Sequence, residues 1–113
     1  MEQTAEALED AQIIIACGAA GIELASEKML LGIDSLRVAV DLNAVPPAGL
    51  GGIGVTDKAK VIGSDDGQAV GYGAIGVGGL KMKIHKAGIK KLFTTNDLLL
   101  DADEIYDLGQ ELA

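Results

Sequence analysis

Ile13-Ile14-Ile15-Ala16-Cys17 is an unbroken apolar run stopped by Gly18. Continuous rather than alternating apolarity predicts a strand buried on both faces, as in a parallel sheet. Leu36-Arg37-Val38-Ala39-Val40-Asp41-Leu42 predicts a second strand. Asn43-Ala44-Val45-Pro46-Pro47 ends it, because the two prolines lack donors and disfavour helix just upstream. Gln68–Tyr72 reads as a third, short strand. Residues 22–31 read as a helix that turns Ile22, Leu24 or Ala25, Met29 and Leu30 toward a core, with Gly32 as its stop. A short helix over residues 2–10 sets Glu2, Glu6 and Glu9 outward and lets Ala5 and Leu8 face in. Residues 48–67 are mostly loop: Gly49, Gly51, Gly52 and Gly54 fall close together, and Gly63–Gly67 is a second turn signal. Gly76–Phe93 predicts the longest helix. A last helix starts at Asp101, with Glu104 completing a capping box, and offers Ile105, Leu108 and Leu112 for burial. The order is strand, helix, strand, long loop, strand, helix, helix. It describes an α/β fold, about half of a doubly wound parallel sheet with three or so strands.

The long helix carries more than one apolar face. At ~100° per residue, Val77, Leu80, Ile84, Ala87 and Gly88 share one side, and Met82, Ile89, Leu92 and Phe93 cover the next. Only Lys83, Lys86 and Lys90 form a polar stripe. An arc this broad predicts packing against a sheet and a second body, and a homo-oligomer is expected to cover it.

Composition narrows the class. The chain has 113 residues, 49% of them hydrophobic, which suits one globular domain able to bury a core. One cysteine excludes an intrachain disulfide framework. The opening Met-Glu-Gln-Thr-Ala-Glu is acidic and unlike a secretory signal, and no run approaches the ~18 apolar residues of a bilayer span. A cytoplasmic setting without membrane attachment is therefore expected. A net charge of −8 argues against nucleic acid, whose phosphates need a basic surface. The sign is uneven, since Lys81 to Lys91 holds five lysines and no acid. Those lysines are either a solvated stripe or an anion site near a helix N-terminus. Lys81 stands nearest the glycine-rich turn and off the polar stripe.

Gly71-Tyr72-Gly73-Ala74-Ile75-Gly76 fits G-x-G-x-x-G between a strand and a helix. It reads either as a pyrophosphate cradle or as a tight strand-to-helix turn of other purpose. Against the cradle, Leu98-Leu99-Leu100 is too short for the strand that should follow, and Asp97 sits in a turn rather than at a strand end. Cys17 is a small buried hydrophobe unless a base lies beside it, and the only histidine is His85, in a lysine-flanked helix. One His and one Cys make no metal constellation. Asn43, held by the Pro46-Pro47 turn at a strand end, is suited to hydrogen-bonding an amide, or is a plain strand exit.

Four stretches together resemble one family: Val40–Gly49, Gly51–Lys58, Tyr72–Lys86 and Asp101–Tyr106. They are similar to the NAD(P)-dependent methylenetetrahydromethanopterin and methylenetetrahydrofolate dehydrogenases of one-carbon metabolism. The Asn-Ala-Val-Pro-Pro loop and the Gly-Gly-Leu-Lys-Met-Lys-Ile-His-Lys helix are the specific parts. The resemblance implies that residues 1–113 are a single, truncated Rossmann-like domain. It would be the C-terminal half of the nucleotide domain, without the pterin-binding domain and the true pyrophosphate turn. It implies hydride transfer from a methylene pterin to NADP, or to NAD, with no side chain of this chain acting as acid or base. Cys17, Gly18 and Ala19, Asn43 and Pro46, Gly73, Ala74 and Gly76, and Lys81 would face the cofactor. A separate chain carrying the pterin-binding domain is one expected partner. The alternative is a stand-alone nucleotide-binding or assembly module without catalysis.

Overall fold

The computed structural model describes residues 2–43, 45–64 and 66–113; Ala44 of the Asn43–Pro47 loop and Asp65 of the Gly63–Gly67 turn lie outside the described residues. The chain divides into two compact units, Met1–Val77 and Gly78–Ala113.

The first unit holds a four-stranded sheet. Its strands are β1 (Ile13–Ala16), β2 (Val38–Asp41), β3 (Lys60–Val61) and β4 (Val70–Tyr72), in the order β1-β2-β4-β3. β1, β2 and β4 are parallel, with Ile14 opposite Ala39 and Ala39 opposite Gly71. The two apolar runs are therefore neighbouring parallel strands, as their patterns predict. β3 is the departure. It pairs antiparallel with β4, Lys60 opposite Gly71, so the sheet is mixed and not purely parallel. Two residues are too few to leave a periodic signal.

Burial along the strands alternates, which corrects the reading of the first run. Ile14 and Ala16 are buried, but Ile13 and Ile15 are 64% and 60% exposed. The covering segments explain this. Ala25, Leu30, Leu36, Leu50, Ile53 and Ile62 form one cluster with Ile14 and Ala39, so they dress a single face of the sheet. Burying a side chain such as Leu30, Leu36 or Leu50, each 2% exposed, contributes about 1.5–3 kcal/mol.

α1 (Glu2–Leu8) places Leu8 against the margin of this core, while Ala5 stays exposed. α2 (Glu27–Leu31) is half the length its pattern suggests. Ser26 caps it, its Oγ accepting from the Met29 amide at 3.2 Å. Upstream, the Leu24 and Ala25 amides donate to the Gly49 carbonyl at 2.7 and 3.2 Å, and Ala25 pairs with Leu50 in an isolated parallel bridge. Pairing with a distant loop thus overrides helix formation there. Ala25 is buried in consequence, and Ile22 and Leu24 are not.

α3 (Ala74–Leu92) begins in the first unit and ends in the second, which also holds α4 (Ala102–Leu112). The capping box forms: Asp101 Oδ1 accepts from the Asp103 amide at 3.1 Å, and Glu104 Oε2 accepts from the Asp101 amide at 3.2 Å. Gly109 sits where a Cβ would lie 3.1 Å from Ile84 Cδ1, so the two helices approach closely. Neither helix has a fully buried residue. Ile105 and Leu112, expected to be buried, stay 44% and 36% exposed, and Phe93 is 87% exposed. No helix among the described residues is long and apolar enough to cross a membrane.

Candidate functional site

β1, β2 and β4 run parallel with β2 in the middle, so their carboxyl ends finish along one edge of the sheet. The chain leaves them through Cys17–Gly21, Asn43–Pro47 and Gly73–Gly76. In open α/β sheets that edge is where ligands bind.

Asp41 and Asn43 organise the centre of this edge. Asp41 ends β2 on the covered face and is 1% exposed. Its Oδ1 accepts from the Asn43 amide and its Oδ2 from the Leu50 amide, both at 2.9 Å. The Asn43 side chain, also buried, donates from Nδ2 to the Ala19 carbonyl at 3.2 Å. That bond ties the turn after β1 to the loop after β2. A carbonyl can only accept, so the contact fixes which end of the carboxamide is nitrogen. The opposite end, Oδ1, makes no hydrogen bond among the described residues. It can therefore take a donor from outside. Gly49 lies over the pair: a Cβ there would be 3.2 Å from Asp41 Oδ1 and 3.3 Å from Asn43 Nδ2.

The glycine-rich turn after β4 is closed by the chain itself. The Gly73 amide donates to the Asp57 carbonyl at 2.9 Å, and the Ile75 and Gly76 amides donate to the Val55 carbonyl at 2.7 and 3.2 Å. Free N–H groups at a helix start are what a phosphate would need, and here a backbone turn takes them. That turn is itself clamped, since Asp57 Oδ2 accepts from the Gly54 amide at 2.7 Å. A Cβ at Gly73 would overlap the Gly54 carbonyl oxygen, and one at Gly76 the Asp57 carbonyl oxygen. The two glycine motifs, 51–58 and 71–76, are thus halves of one interlock. This favours the tight-turn reading over a pyrophosphate cradle.

The other predicted positions are less gathered. Cys17 is an exposed free thiol, which corrects its reading as a buried hydrophobe, because β1 stops at Ala16 and Cys17 falls in the turn. Gly18, Ala19 and Pro46 are exposed, and Ala74 is half-buried. Lys81 and His85 are exposed on the part of α3 that belongs to the second unit. Among the described residues no cluster of His, Cys, Asp and Glu is arranged to hold a metal. A shallow depression of about 740 Å³ between α1 and residues 26–35 has Glu6, Glu9, Asp10 and Asp34 in its lining against the single cation Lys28. Four carboxylates suit it poorly to an anionic nucleotide. Sequence reading singled out Asn43 but passed over Asp41. The signal was a carboxylate closing an apolar strand two residues before an Asn, the spacing of an Asx turn.

No family model matches the chain. Among curated proteins, it is 42% identical over 109 residues to the Bifunctional protein MdtA of Methylorubrum extorquens, a match covering 96% of this chain and 36% of that one. It is 36% identical over 108 residues to the NAD(P)-dependent methylenetetrahydromethanopterin dehydrogenase of the same organism, covering 95% of this chain and 36% of the relative. Over the length they share, the chain is similar to both proteins, the second of which is a methylenetetrahydromethanopterin dehydrogenase. It spans little more than a third of the length of either relative. The Asn43 loop and the 54–57 interlock account for the two most glycine- and proline-rich stretches of the resemblance.

Proposed function

We propose that this chain forms the nicotinamide side of a nucleotide-binding fold that serves hydride transfer between a methylene pterin and NADP, or NAD. The observation that carries the reading is Asn43: a buried carboxamide at the carboxyl edge of the sheet, its orientation set by Ala19, with no hydrogen bond on Oδ1 among the described residues. That oxygen suits the amide N–H of a nicotinamide carboxamide. A nicotinamide bound there supplies the hydride acceptor, and the family relation supplies the pterin as donor. The chain's own part is to orient and to shield. Asn43 sets the ring's rotation, Cys17, Gly18 and Ala19 wall it on the β1 side, and Pro46 stiffens the loop that bears Asn43. Gly73, Ala74 and Gly76 shape the β4 side through the interlock and not as phosphate donors. Lys81, on the second unit, offers an exposed cation to a partner. No side chain here is assigned acid or base work.

The pyrophosphate turn and the pterin site would come from further residues, in a separate chain or in the rest of a longer polypeptide. In this reading the bare sheet face with Ile13 and Ile15, and the apolar residues of α3, are contact surfaces for such a partner or for a second copy. Catalysis needs that partner, and a cytoplasmic setting fits a soluble nicotinamide nucleotide. The test is a titration of the isolated chain with NADP and with NAD, followed by amide chemical shifts. Weak binding that moves Ala19, Asn43 and Val45 is expected. Shifts confined to residues far from these three would refute the reading.

A further inference from the structure

We propose that Asp41 is the positioning residue of the candidate site, holding the loop that carries Asn43. The proposal rests on the nicotinamide reading above and adds a second residue to it. Asp41 is 1% exposed, and among the described residues no lysine or arginine pairs with it. A buried carboxylate is costly unless its oxygens are hydrogen-bonded. Here each oxygen takes one backbone amide at 2.9 Å, and those amides stand at the two ends of the loop, Asn43 and Leu50. The carboxylate therefore fastens both ends of the loop to the last residue of β2. Both bonds come from backbone, so the charge fixes loop geometry and not a neighbouring side chain.

The consequence passes outward through Asn43. Its backbone is held by Asp41 Oδ1 and its side chain by the Ala19 carbonyl. Two fixed points set the carboxamide's orientation, and Oδ1 makes no hydrogen bond among the described residues. Gly49 permits this arrangement, because any larger residue would press on both Asp41 Oδ1 and Asn43 Nδ2. Leu50 then carries the fastening into the core, where it is 2% exposed and pairs with Ala25. Asp41 itself touches no ligand in this scheme; it acts through Asn43.

The test uses the full chain, isotopically labelled for NMR. In the wild type, couplings across hydrogen bonds should link the Asn43 and Leu50 amide nitrogens to the Asp41 side-chain carboxyl carbon. Their absence overturns the proposal without any variant. Asp41→Asn replaces one acceptor by an NH2 that must face an amide N–H. At least one of the two amides should then lose exchange protection by about tenfold relative to Ala39 and Val40, and the Kd for NADP or NAD should rise about tenfold, the scale of one lost charged hydrogen bond. Lost protection with an unchanged Kd would show a merely structural carboxylate and overturn the positioning role. A wild-type chain that shows the couplings but no shift with either nucleotide upholds the fastening and refutes the nicotinamide reading instead.

Discussion

Adding one methyl group at Gly76 should unfasten the turn after β4, while the same change two residues on should stabilise the helix. At Gly76 a Cβ would overlap the Asp57 carbonyl oxygen, which is backbone and cannot rotate aside. The 54–57 turn must therefore move away. Overpacking of this kind costs ~1–3 kcal/mol. Moving the turn also strains the bonds from Gly73, Ile75 and Gly76 to Asp57 and Val55, each worth ~0.5–1.5 kcal/mol net. Losing one or two of them brings the total to about 1.5–6 kcal/mol. That is a large part of the ~5–15 kcal/mol that holds a typical domain. Urea unfolding followed by far-ultraviolet circular dichroism reads it directly. With a slope of ~1–3 kcal/mol/M, the midpoint of Gly76→Ala should fall by at least about 0.5 M. The controls are Gly78→Ala and Gly79→Ala. Nothing lies within 4 Å of a Cβ at either position. Inside a helix each should gain ~0.5–1 kcal/mol from the reduced freedom of the unfolded chain. A Gly76→Ala variant within about 0.5 kcal/mol of wild type, inside the range of an ordinary surface change, would falsify the interlock.

Four further outcomes are expected. Leu36→Ala, at a fully buried site beside Ile14 and Ala39, should cost ~2–5 kcal/mol in the same urea experiment, because the sheet cannot collapse into the space. Asn43→Ala should weaken nicotinamide nucleotide binding by about 1–3 kcal/mol in the titration of the isolated chain, through the unpaired ligand amide and the loop freed from Ala19. Asp101→Ala removes the cap on α4 and should cost ~0.5–2 kcal/mol locally, seen as faster amide exchange at Asp103, Glu104 and Ile105 with the sheet unaffected. Light scattering at micromolar concentration should give more than the monomer mass, driven by the bare apolar residues of β1 and α3; a monomer would remove self-association from the reading.

Much of the architecture was legible because it is local. The apolar runs at 13–16 and 38–41 and the tripeptide 70–72 are strands because nothing in their composition competes with an extended, core-facing backbone. The Asp101–Glu104 box starts α4 through bonds spanning three residues, so it needs no tertiary partner. The family resemblance was equally local, resting on short stretches whose residues stand together. What tertiary structure decided involves distance along the chain. Three isoleucines in a row look buried on both faces, yet a single layer of covering segments leaves Ile13 and Ile15 exposed. Residues 22–25 have a helical pattern, but the Gly49 carbonyl and Leu50 draw them into a bridge. The glycines at 73 and 76 carry a phosphate-binding spacing, and only the fold shows their amides taken by Val55 and Asp57. Asp41 is one acid among many in the sequence. Its bond from the Asn43 amide spans two residues and is local, but its burial and its second bond, from the Leu50 amide nine residues on, depend on where the whole chain places them.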